Sequence, residues 1–155
     1  MRPQDRPRLV FRAVLGILGA VQLTDGLYAL LAPKSFYGDF PAGRGWVEAL
    51  PAYNEHLTRD VGALFIGTAV VLFAAAVHLE GLLVKVALWS FLAFSLPHLV
   101  YHLLNLEPYG TADAIGNVLT LGFTVVAPAA LLVSMHRSPG AFAPPDEQQR
   151  PPTAG

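Results

Sequence analysis

Four pairs of side chains that can carry charge, protons or a metal ion recur at a spacing of four. They are Glu55 with Arg59, His56 with Asp60, His98 with His102, and Asp113 with Asn117. Gln22 and Asp25 lie three apart. Residues three or four apart share one face of a helix, so each pair presents both groups in one direction. His98 and His102 could offer two imidazole nitrogens to a single metal ion. Asp60, Glu55 or Asp113 would then complete the ligand set, a donor combination that suits zinc, iron or manganese. The same spacing also serves hydrogen-bonded packing, and it cannot supply the trans axial ligands of a haem. Glu55 precedes Arg59 in the order that favours a helical ion pair. Asp25 and Asp60 sit inside or beside apolar runs, Asp60 being expected to be half-buried. Free of a cation, such carboxyls suit proton transfer; paired with one, they suit structure.

The elements that hold these groups follow from composition. Of 155 residues, 54% are hydrophobic and only 14% are charged, against about 25% charged in a typical soluble domain. Mean hydropathy is +0.48. The chain reads as a membrane protein in contact with a lipid bilayer. A net charge of −1 gives no reason to expect nucleic-acid binding. The absence of cysteine excludes disulfides, thiolate metal sites and cysteine nucleophiles. Eight arginines against two lysines, with abundant Ala, Gly, Leu and Pro, resemble a high-GC bacterial coding bias and point to a bacterial plasma membrane.

The expected fold is all-α: an integral membrane four-helix up-and-down bundle, in one domain over residues 9–135. A basic leader occupies 1–8. The spans are placed at about 9–31, 54–77, 81–104 and 111–135, each long enough for the ~20 residues a bilayer requires. The first is read as a span and not a cleaved signal, because its apolar run is long and Pro33 follows it closely. Residues 33–53 form an interfacial loop rich in Pro, Gly and aromatics, with no continuous helix except a turn near Trp46 to Leu50. It either anchors at the interface or covers the polar groups. The tail 136–155 is Pro-rich, polar and expected to be disordered. Arg2, Arg6, Arg8, Arg12, Lys85, Arg137 and Arg150 fall on the side of the termini, and Lys34, Arg44 and Arg59 on the other. Seven against three predicts both termini in the cytoplasm.

This topology gathers Gln22, Asp25, Glu55, His56, Arg59, Asp60, His98, His102, Asp113 and Asn117 at one end of the bundle. Ser95 and Asn105 extend the third helix's polar stripe, and Thr120 and Thr124 the fourth's. Both stripes are expected to face the interior. Intramembrane ionisable residues are functional-site hypotheses by default.

The four-span plan, the length and the polar cluster resemble the broad DoxX-like group of small bacterial membrane proteins. PAYNEHLTRDVGALFIGTA, LPHLVYHLLNLEP and TADAIGN also resemble uncharacterised membrane proteins of high-GC bacteria. The resemblance covers most of 9–135. It implies a link to quinone-linked oxidoreductases for some members, and carries no catalytic residue onto this chain.

Three functions follow from these residues. In the first, an outward-facing polar pocket binds a small molecule, lipid or quinone, or the bundle serves as accessory subunit of a membrane complex. A membrane-protein partner or a homo-oligomer is compatible with either. The second is a metal-dependent or acid–base membrane enzyme, with His98 and His102 as ligands or proton carriers, Asp60 and Glu55 as ligands or general bases, and Arg59 as an anion clamp. The third is a proton-coupled transporter using Asp25, Asp60, His102 and Asp113. The apolar opposite half of the spans weighs against it.

Overall fold

The computed structural model describes residues 5–50 and 52–137. Five helices follow one another: α1 (Asp5–Leu31), α2 (Pro33–Asp39), α3 (Glu55–His78), α4 (Gly81–Leu104) and α5 (Thr111–Arg137). Four of them, all but α2, are long and apolar enough to cross a membrane. At 1.5 Å per residue, 24 residues span about 36 Å, against a hydrocarbon thickness of about 30 Å. Leu64, Val70, Leu82, Leu119 and Val126 are largely exposed on these helices. Such surface belongs in lipid. The chain is a small multi-pass membrane protein.

Local chemistry sets the helix ends. Asn54 caps α3 by accepting the Leu57 N–H at 3.1 Å. Leu79 closes α3 in the left-handed region (φ 50°), its N–H returning to the Ala75 carbonyl while its side chain is buried. Gly81 then starts α4, so α3 and α4 are joined by two residues and run antiparallel.

Two expectations need correction. Residues 5–8, expected in a basic leader, are already helical and belong to α1 (Asp5–Leu31). The interfacial loop opens with α2, a seven-residue helix that was not expected. Pro33 stands at its start, where the fixed φ of proline favours helix. The turn near Trp46 is present, with the Ala49 N–H bonded to the Gly45 carbonyl. The expected tail falls mainly on residues 138–155, outside those described, while His136 and Arg137 still belong to α5.

Helix α1 packs most extensively on α3, and α4 on α5; the α3–α4 contact is smaller. Glycine explains the first pairing. A Cβ on Gly62 would lie 2.7 Å from the Leu30 nitrogen and 2.8 Å from the Gly26 carbonyl oxygen. A Cβ on Gly26 would lie 2.8 Å from the Gly62 oxygen. The two backbones lie against each other with no side chain between them.

The interior is unequal along its length. At the end carrying the first and last described residues (the terminal end), Phe11, Leu15, Leu72, Leu88 and Leu131 join one apolar cluster from all four spans. Towards the opposite end (the loop end), the buried set includes Gln22, Ser95, His102 and Asn117.

Gly62→Ala is expected to lower the thermal midpoint of the purified protein, costing about 1–3 kcal/mol through overpacking against backbone. Gly67→Ala, where an added Cβ meets nothing within 4 Å, should be neutral or slightly stabilising. Equal midpoints for the two variants in a thermal scan would contradict a backbone contact at Gly62.

Candidate functional site

At the loop end, the polar side chains separate into three groups. The first is on α3. Arg59 donates from Nε and Nη2 to Glu55 Oε1 at 3.0 and 2.9 Å, and from Nη1 to the carbonyl of Leu30. That carbonyl lies in the last turn of α1, where helix carbonyls lack intrahelical partners. Arg59 thus ties the α3 entrance to the α1 exit. His56 Nε2 sits 3.3 Å from Asp60 Oδ2. The Asp60 side chain is 56% exposed and not half-buried as expected. Its helical partner His56 lies on the same outer face, 89% exposed, and the pair stays away from the interior.

The second group is a row of rings along α4. His98 stacks on Phe94 at 5.1 Å and meets His102 edge-on at 4.6 Å. His102 in turn stacks with Tyr109 at 6.4 Å, and Phe94 packs edge-on against Phe65 of α3 at 5.0 Å. The two imidazoles are one turn apart, as the spacing predicts. Asp60 does not join them. Among the described residues, no three His, Asp or Glu side chains gather as a metal-ligand set.

The third group is a clamp between the loop and α5. Asp113 Oδ1 accepts from Arg44 Nη1 at 2.6 Å and from Trp46 Nε1 at 2.9 Å. Tyr109 Oη donates to the Trp46 carbonyl at 2.7 Å. Desolvation, with a smaller contribution from Tyr101, holds the Tyr109 phenol above its ordinary pKa, so it remains a donor. The Trp46 ring also covers Gly116, where an added Cβ would lie 3.2 Å from the indole. With a side chain here the ring would have to move by a few tenths of an ångström. Sequence reading missed Arg44, Trp46 and Tyr109 as site residues. The aromatic content of the loop was the available signal, without an address.

Deeper in the bundle, Asn117 is 1% exposed and Gln22 5%. Asp25 is half-buried, and among the described residues no hydrogen bond or ion pair reaches its carboxylate. The hydroxyls of the predicted stripes are satisfied within their own helices. Ser95 donates to the Phe91 carbonyl, Thr120 to Gly116 and Thr124 to Leu121. Thr120 is exposed and does not face the interior as expected. This back-bonding is the usual way a helical Ser or Thr is satisfied in an apolar setting. His102 Nδ1, Asn117 Oδ1 and Tyr53 Oη are different. Each is buried, and among the described residues His102 Nδ1 and Asn117 Oδ1 lack a hydrogen-bond partner, while Tyr53 Oη has at most Glu55 beside it. All three lie towards the loop end.

Replacing Asp113 with Ala should free the loop. In a Trp89→Phe background, leaving Trp46 as the sole tryptophan, emission is expected to shift to the red and acrylamide quenching to rise. Arg44→Ala should do much less, costing about 1 kcal/mol at most, since its side chain is 54% exposed. Unchanged quenching in Asp113→Ala would show that the carboxylate does not hold the loop.

No family model, curated protein or solved structure matches the chain. The DoxX-like resemblance read from the sequence therefore finds no support. The four membrane-spanning helices are what remain of it.

Proposed function

We propose that this membrane protein binds a small, ring-bearing, membrane-soluble molecule of the quinone class at the loop end of its bundle. The orphaned polar atoms His102 Nδ1 and Asn117 Oδ1 carry this reading. A buried donor or acceptor left unpaired costs about 1–3 kcal/mol, and a bound ligand with matching groups removes that cost. A quinone carbonyl accepts from a protonated imidazole nitrogen, and a quinol hydroxyl donates to an amide oxygen. The Phe94–His98–His102–Tyr109 row offers flat rings for such a molecule to pack against. The loop clamped at Asp113 covers this end.

Binding is favoured over the other chemistries by two observations. His98 and His102 have no third His, Asp or Glu beside them among the described residues, so a metal-dependent enzyme has less support. The apolar cluster that fills the terminal half supplies no polar path, which disfavours transport through a single protomer. An accessory subunit holding a quinone for a partner enzyme in a bacterial plasma membrane fits the same geometry.

The test uses the full chain in nanodiscs, in the Trp89→Phe background, with decylubiquinone as the probe. Quenching of Trp46 is expected to saturate. His102→Leu and Asn117→Leu should weaken it about tenfold, the value of one lost buried hydrogen bond, without loss of thermal stability. Quenching that rises linearly with quinone content and is equal in all three proteins would reduce the effect to partitioning and end this reading.

The basic excess at the terminal end supports cytoplasmic termini. The chain has no cysteine, so single replacements report the side directly. Glu48→Cys should react with an impermeant maleimide in intact cells, and His78→Cys only after lysis. The reverse pattern would invert the topology.

A further inference from the structure

We infer that the groove between α4 and α5 at the terminal end is a binding site for an anionic phospholipid. Its headgroup lies against Lys85 and Arg137, and its upper acyl chain lies beside Trp89, Leu92 and Leu132. The groove has a volume of about 620 Å³ and opens to the surface. It is at the opposite end of the bundle from the orphaned polar atoms, so the proposal is independent of the quinone reading.

The distribution of charge along the groove carries the inference. Lys85 is the fifth residue of α4, and Arg137 is the last of α5 beside His136, so the cations sit at the membrane boundary. Leu92 lies seven residues deeper on α4 and Leu132 five residues deeper on α5. At 1.5 Å per residue these are about 10 and 7 Å further into the bilayer. A cationic mouth above an apolar floor matches a phosphate headgroup above its acyl chains. Trp89 is one turn below Lys85 and 63% exposed, a placement that suits the boundary between headgroups and chains.

Among the described residues, neither Lys85 nor Arg137 takes part in an ion pair. Glu80, the nearest carboxylate in sequence, is five positions before Lys85 and so about 140° away around the helix. A second groove of about 280 Å³ between α3 and α4 provides the contrast. Ala63, Leu64, Gly67 and Val71 line it with no cation. Charge, and not groove shape alone, marks the α4–α5 site. Basic pockets between membrane helices are a recurrent means of holding anionic headgroups.

The experiment reconstitutes the full chain in vesicles of phosphatidylcholine containing a minor fraction of brominated lipid, either phosphatidylglycerol or phosphatidylcholine. Bromine quenching of Trp89 is read as the difference between wild type and Trp89→Phe. Brominated phosphatidylglycerol is expected to quench at a roughly 25-fold lower mole fraction, about fivefold for each cation. Lys85→Gln and Arg137→Gln should each remove about fivefold, and the pair should bring the two lipids level. Both side chains are exposed, so the single variants should fold even if the pair does not. Equal quenching by the two lipids in wild type would overturn the proposal. So would a preference that survives either single variant at full strength. Loss of the preference on adding millimolar inorganic phosphate at constant ionic strength would show an anion site without lipid selectivity, and would also overturn it.

Discussion

The contact between the backbones of α1 and α3 at Gly26 and Gly62 is the constraint on which the rest of the structure depends. Lipid tails are as apolar as leucine, so no hydrophobic force draws two spans together within the bilayer. Close packing must do so instead, and it is greatest where neither helix carries a side chain. With the two axes this close, Arg59 reaches the Leu30 carbonyl and satisfies part of the α1 terminus. The loop between α1 and α3 leaves from a fixed base and can extend to α5. There Gly116 admits the Trp46 ring, and Asp113 receives Trp46 and Arg44 together. Small residues at two joints thus position a loop that has little regular structure of its own.

The interior divides into two kinds of packing. The terminal half is sealed by apolar side chains from all four spans. Towards the loop end, buried polar groups take their place. Buried polar atoms without partners are uncommon in folded proteins because each has lost its water without compensation. Among the described residues those atoms lie towards the loop end. The apolar half packs the four spans together, and the buried polar groups lie at the other end.

The sequence reading recovered what depends on neighbours along the chain. Apolar length located the four spans, and one-turn spacing correctly paired Glu55 with Arg59 and His56 with Asp60, because a helix forces those contacts. The same logic misjudged Asp60, since its place beside an apolar run does not tell which way the helix turns it. It placed Ser95, Thr120 and Thr124 on interior faces; Ser95 is buried and Thr120 exposed, and all three hydroxyls bond to carbonyls three or four residues back. Helix α2 was hidden by a prolyl-rich composition that reads as loop, yet a proline at the first position of a helix strengthens it.

Sequence alone therefore determined the membrane class, the span positions and the helical pairs. These rest on hydropathy and on a repeat of 3.6 residues, both local properties. Tertiary structure alone decided which glycine lies against which backbone, and that Asp113 accepts from residues 67 and 69 positions earlier. It also decided which buried polar atoms remain without a partner. Those outcomes depend on how close and at what rotation the helices pack, and a single chain's local pattern carries no information about either.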